Sequence, residues 1–191
     1  MKNKKLLSDI KEYLKCYENQ VLEDWYELIR HISVSETGEG IETCCDWIQK
    51  KMEEIGIQVT KYSVKPAPVL VGRFGNDPEK KTVLIYAHYD VKPAGERKLW
   101  HSDPFVPTVR DGKVYARGSA DNKSPLMAHL KALEYFIRRK MEVPVNVIFV
   151  FEGDEECGSR GLEEFLAEHR TELAADLVFF SDGPKDPSGL P

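Results

Sequence analysis

Apolar positions recur at helical spacing over residues 4 to about 31, at Leu6, Leu7, Ile10 and Leu14 and then at Val21, Leu22, Trp25, Leu28 and Ile29. The pattern predicts that the chain opens in helix. The turn SETGEG follows, and a second amphipathic segment runs from about Ile41 to Ile55 before Gly56, a residue suited to ending a helix. IQVTKYSV and PVLVGRFG then read as short strands of imperfect alternation, with Pro66 and Pro68 interrupting the stretch between them and a turn at GNDPEK closing it.

Beyond that turn the pattern changes to nearly continuous apolar strands alternating with helices: TVLIYAH, SPLMAHLKALEYFIRR, VNVIFVF, LEEFLAEHR and DLVFFSD. Strands with no polar alternation read as buried on both faces. The expected fold is therefore α/β, a three-layer α/β/α arrangement in which helices flank a mostly parallel sheet. No internal repeat, low-complexity tract or linker divides the chain.

Composition narrows the function only a little. With 191 residues, 41% hydrophobic and 31% charged, the chain can bury one substantial core. A net charge of -5 speaks against general nucleic-acid affinity and leaves room for a small or peptide-like ligand. The four cysteines have no C-x-x-C spacing and read as reduced thiols. The basic MKNKK start precedes no signal-peptide core, and no apolar run approaches the roughly 20 residues of a membrane span, so a cytoplasmic location is expected.

The chemistry gathers at strand ends. TVLIYA ends in His88 and Asp90, VNVIFVF runs into FEGDEECGS with Glu155 and Glu156, and DLVFFS ends in Asp182. Open α/β sheets bind ligands beyond the carboxyl ends of their strands, so these groups point to one crevice. Asp121 adds a further acid just before the helix that carries Pro125 in its first turn. Each has an ordinary alternative: His88 as a core histidine, Asp121 as a helix cap, Glu155 and Glu156 as solvated first-turn residues, Asp182 as the start of a turn. Crowded carboxylates repel one another unless a metal ion, a basic side chain or water stands among them. One imidazole with several carboxylates is the donor set that suits zinc or a similar divalent ion.

HYDV, DPFVPTVRDGKVYARGSADNKS, EGDEECGSRGLEEFL and SDG, in this order, resemble the catalytic half of the two-zinc peptidases typified by carnosinase and cytosolic nonspecific dipeptidase. Acetylornithine deacetylase and succinyl-diaminopimelate desuccinylase are more distant relatives of that type. The resemblance covers most of residues 80 to 183.

The resemblance implies that His88 binds one zinc, oriented by Asp90, that Asp121 bridges two metals, that Asp182 completes the His88 metal and that Glu156 belongs to its neighbour. It also implies a cis peptide after Asp121. Adjacent glutamates point in different directions, so Glu155 is left as the general base acting on a metal-activated water. Glu152 and Asp154 are expected to serve the loop or solvent. Manganese or cobalt could replace zinc.

By the same resemblance, residues 1–191 form the N-terminal portion of the catalytic domain, with the lid or dimerisation domain and a distal histidine ligand absent. The implied activity is hydrolysis of a small peptide substrate by a homodimeric dipeptidase. The 191-residue chain itself is expected to be weakly active or inactive, to hold the second metal poorly, and to be prone to self-association. An N-acyl amino-acid deacylase and a noncatalytic metal-binding fragment are the alternatives.

Overall fold

The computed structural model describes residues 2–183. Helix α1 (Lys2–Arg30) and helix α2 (Ile41–Ile55) come first, and α2 stops where Gly56 takes a φ of 96°, the left-handed conformation its missing Cβ permits. Strands β1 (Gln58–Tyr62), β2 (Val69–Phe74) and β3 (Thr82–His88) follow, then a small hairpin of β4 (Thr108–Arg110) and β5 (Lys113–Tyr115). Helix α3 (Lys123–Arg138), strand β6 (Asn146–Glu152), helix α4 (Leu162–Glu168) and strand β7 (Leu177–Phe180) complete the chain.

The main sheet has the order β1-β2-β6-β3-β7. Strands β6, β3 and β7 are parallel neighbours, while β1 and β2 run antiparallel along the other edge. The parallel part is the part that brings strand carboxyl ends together, and His88 lies in register with Glu152 there.

Strand β6 explains the layering. Val147, Phe149 and Phe151 face α2 and α3, with Ile48, Met52, Leu126 and Leu130. Ile148 and Val150 face the opposite side with Val69, Val71, Phe165 and Leu173. A strand covered on both faces needs no polar alternation, as its sequence foretold.

Strand β7 departs from that expectation. DLVFFSD reads like a strand buried on both faces, yet Leu177, Val178, Phe179 and Phe180 are 47–61% exposed. The physical reason is its place at the sheet edge, where among the described residues it pairs with β3 alone. The β4–β5 hairpin was also not foreseen. Its three-residue strands are too short for alternation to signal them.

Candidate metal centre

The site is built from β3 outward. Its last residue, His88, is fully buried, and Tyr89, Asp90 and Val91 continue the buried run. Two main-chain bonds fix this segment, Tyr89 N–H to the carbonyl of Glu152 at 2.8 Å and Val91 N–H to that of Ser33 at 2.8 Å. Gly118 lies so close to Val91 that an added Cβ would sit 2.4 Å from the valine Cγ1, and its φ of 74° also favours glycine. The loop leading to Asp121 is thereby pressed against the strand end.

His88 Nδ1 faces Asp90, at 3.1 Å from the main-chain oxygen and 3.3 Å from Oδ1. With Nδ1 so occupied, Nε2 is directed at Asp121 Oδ1 at 3.0 Å and Asp182 Oδ2 at 3.2 Å, with Glu155 Oε2 at 3.7 Å. None of these approaches has the geometry of a hydrogen bond, so Nε2 is buried without a partner. One ligand atom each from His88, Asp121 and Asp182 falls within 4.8 Å of the others. A lone-pair nitrogen and two carboxylates converging from three separate segments fit a divalent cation better than they fit one another.

Burial opposes charge on His88, but Asp90, Glu155 and Asp121 outweigh it and push its pKa up to about 9. A cation at Nε2 therefore competes with a proton. Burial, together with the neighbouring charges of Glu156 and Asp182, also raises Asp121 against the pull of His88. Glu155 is raised for the same reasons, burial first, with Glu156, Asp182 and Asp90 adding to it.

Asp121 precedes α3 but does not cap it, since the cap position is Asn122 and no side chain bonds there. The Asp121–Asn122 peptide is cis, as the resemblance implied. Asn122 donates to the carbonyl of Ser181 at 3.2 Å, and His129 lies 2.9 Å from the Ser181 hydroxyl. The residue before Asp182 is thus tied to α3. Lys123 is buried and donates to the carbonyls of Leu28 and His31 at 3.1 and 2.6 Å, securing the start of α3 to the end of α1.

The FEGDEECGS turn holds its acids in two ways. Glu155 and Glu156 occupy a short 3-10 turn whose amides both donate to Asp90, Glu155 N–H to Oδ1 at 3.2 Å and Glu156 N–H to Oδ2 at 3.1 Å. One buried carboxylate therefore orients the histidine and anchors the glutamate pair. Glu152 accepts from Tyr86 at 2.5 Å and Ser159 at 2.8 Å, while Asp154 accepts from the main-chain amide and two guanidinium nitrogens of Arg160 at 2.7–3.0 Å. Both acids serve the loop, as expected, but they are buried rather than solvated.

Glu156 has a partner of its own. It lies outside the His88–Asp121–Asp182 group, and its Oε2 is 2.7 Å from Lys92 Nζ. Neither the Lys92–Glu156 contact nor the double acceptor role of Asp90 is visible in residue types and spacing. The acid-rich turn was the available signal that a basic partner could be present. No helix among the described residues is long and apolar enough to cross a membrane.

Comparison with known proteins bears on what this geometry is for. The profile of peptidase family M20/M25/M40 matches residues 84–190, which include every group just described at the cluster. The Cys-Gly metallodipeptidase of Schizosaccharomyces pombe is 44% identical over 138 residues, 69% of this chain and 29% of that protein. Human carnosine dipeptidase 1 superposes with a TM-score of 0.88 at 29% identity, over 93% of this chain and 41% of that one. An M20 family metallo-carboxypeptidase from Sulfolobus solfataricus gives 0.84 at 36% identity, over 88% and 38%. The chain thus spans well under half the length of these relatives.

Proposed function

The chain belongs to peptidase family M20/M25/M40, and from that premise we propose that it carries the metal-binding part of a dipeptidase site that hydrolyses the amide bond of a small peptide. The observation that carries this reading is the convergence of His88, Asp121 and Asp182 within 4.8 Å, with Glu155 beside them. The dipeptidases among the relatives support the substrate class.

His88, Asp121 and Asp182 would hold zinc, or manganese or cobalt in its place. Such an ion supplies Lewis acidity that polarises a carbonyl and makes water a stronger acid. Glu155 is the general base: its carboxylate accepts the proton of the attacking water and later delivers it to the departing amine nitrogen. Asp90 keeps His88 Nε2 turned toward the ligand group and sets the direction of the turn that bears Glu155.

A second ion is part of the proposal, and Asp121 and Glu156 would help to hold it and so add to the Lewis acidity of the site. Residues 1–191 are then the first portion of the catalytic domain. A lid or dimerisation domain, a further histidine and the substrate-reading groups would belong to the relatives' length that these residues do not span. The complete assembly is a homodimer in this reading.

The test is Glu155→Gln in protein that hydrolyses a dipeptide. Turnover should fall by roughly 10²–10⁴-fold while bound metal stays unchanged. Normal turnover at normal metal content removes Glu155 from the mechanism. A panel of dipeptides and N-acyl amino acids, assayed side by side, separates a dipeptidase from a deacylase.

A further inference from the structure

Asp182 follows the edge strand of the sheet rather than a covered one. The ladder between β7 and β3 ends at the rung of Phe180 with Tyr86, so Ser181 and Asp182 lie past its last pair. Two side chains at α3 reach them there. Asn122 donates to the Ser181 carbonyl at 3.2 Å, and His129 Nε2 lies 2.9 Å from the Ser181 hydroxyl. The His129 ring also meets Phe179 edge-on, with centroids 5.5 Å apart and planes at 88°. Residues 179 and 181 share one face of an extended chain, because successive side chains alternate, and that face is the one turned to α3. Asn122 and His129 are seven positions apart, nearly two helical turns, so both lie on the same side of the helix. The clamp has a fixed base, since buried Lys123 ties the start of α3 to the carbonyls of Leu28 and His31. Asp121 immediately precedes Asn122, and Asp182 immediately follows Ser181. Each end of the clamp is thus the neighbour of one carboxylate of the His88 group.

We propose that His129 is a positioning residue for the metal at His88: acting through Ser181, with Asn122 on the carbonyl of the same residue, it holds the Asp182 carboxylate at the spacing from Asp121 that a shared ion requires. The inference rests on the reading of Asp121 and Asp182 as ligands. An unclamped Asp182 samples several directions, and the affinity of a site falls with the fraction of molecules competent to bind. The ion's own charge also draws the carboxylate in, so the clamp tunes affinity and does not create it. The net worth of one hydrogen bond sets the scale, about three- to tenfold in affinity.

Cobalt titration of the 191-residue chain tests this, followed by calorimetry and by the visible absorption of bound Co²⁺, with circular dichroism to verify folding. His129→Leu, which keeps bulk but loses the nitrogen, should weaken the first equivalent about three- to tenfold and alter the absorption of the bound ion at saturation. His129→Gln sets an amide near the place of Nε2 and should restore both, to within about twofold of the parent in affinity. Ser181→Ala should match His129→Leu, and the double variant should be no weaker than either alone, as expected of two groups that act as one unit. A first equivalent unchanged in His129→Leu but lost in Asp182→Ala overturns the proposal and leaves the ligand reading in place. Losses that add in the double variant, or a loss that His129→Gln fails to restore, also overturn it, because the ring would then act by packing alone. If Asp182→Ala itself leaves the first equivalent unchanged, the ligand reading falls and the proposal falls with it.

Discussion

The turn from Glu152 to Gly161 and the strand end from Phe180 to Asp182 deliver carboxylates to one place, yet they are held there in opposite ways. The turn is over-determined. Asp90 takes two of its amides, Arg160 closes it on Asp154, and Tyr86 and Ser159 fix Glu152. The strand end hangs on a single ladder to β3, helped by Asn122 and His129 at Ser181, and its four strand residues are about half exposed. A proton-transfer group must keep its direction to within fractions of an ångström, which buried hydrogen bonds provide. An ionic ligand is drawn into position by the charge it binds, so Asp182 can be anchored more loosely.

Removing ligands breaks this comparison most severely. Asp182→Ala should weaken the first equivalent of zinc by at least about 100-fold in calorimetry, beyond what losing an outer hydrogen-bond partner costs. Glu155→Gln should change it less than threefold, and equal losses in the two variants would erase the distinction between ligand and base. Asp90→Asn comes next. It keeps the shape but weakens the hold on His88 Nδ1 and on both glutamate amides, so zinc affinity should drop by roughly 10–100-fold.

Stability measurements sharpen the contrast at lower energy. Asp154→Ala removes a buried acceptor with three donors and should cost about 1–3 kcal/mol in urea unfolding. Phe180→Ser, at an exposed strand end, should change stability by only about 0.5 kcal/mol. A larger loss at Phe180 than at Asp154 would invert the picture.

The smallest effect concerns His129. Burial lowers its pKa below the ordinary 6.5. The unfolded chain therefore binds a proton that the folded chain resists, and the stability tied to neutral His129 is complete above pH 6.5 and is lost as pH falls through the lowered folded value. His129→Gln should flatten that part of the stability–pH profile in metal-free protein. An unchanged slope below pH 6.5 would show that the ring does not titrate with folding.

Much of the architecture was legible before any coordinates. Helix α2 has the bounds its periodicity indicated, and β3, β6 and α3 lie where the apolar runs placed them. Those elements are long or strongly patterned, and local spacing reports on them directly. The hairpin β4–β5 was invisible because three residues hold too little pattern. Strand β7 was visible as a strand but not as an exposed one, because an apolar run records what a segment can bury rather than what covers it.

The site divides along the same line. His88, Asp121, Asp182 and the glutamate pair could be named from strand ends and ordered motifs, since residue type and chain position suffice for that. What required the fold was partnership across long separations: Asp90 reaching the amides of residues 155 and 156, Arg160 folding back on Asp154, and Lys92 meeting Glu156.

The chain's own pattern determined its elements, its α/β class and the inventory of acids and imidazole at one sheet edge, because propensity, burial period and side-chain chemistry are local properties. The tertiary structure alone decided which carboxylates face His88 Nε2, which is held by a lysine, and which strand stays uncovered. Those are matters of distance and direction, and they arise only when parallel register and loop closure bring residues from far along the chain within a few ångströms.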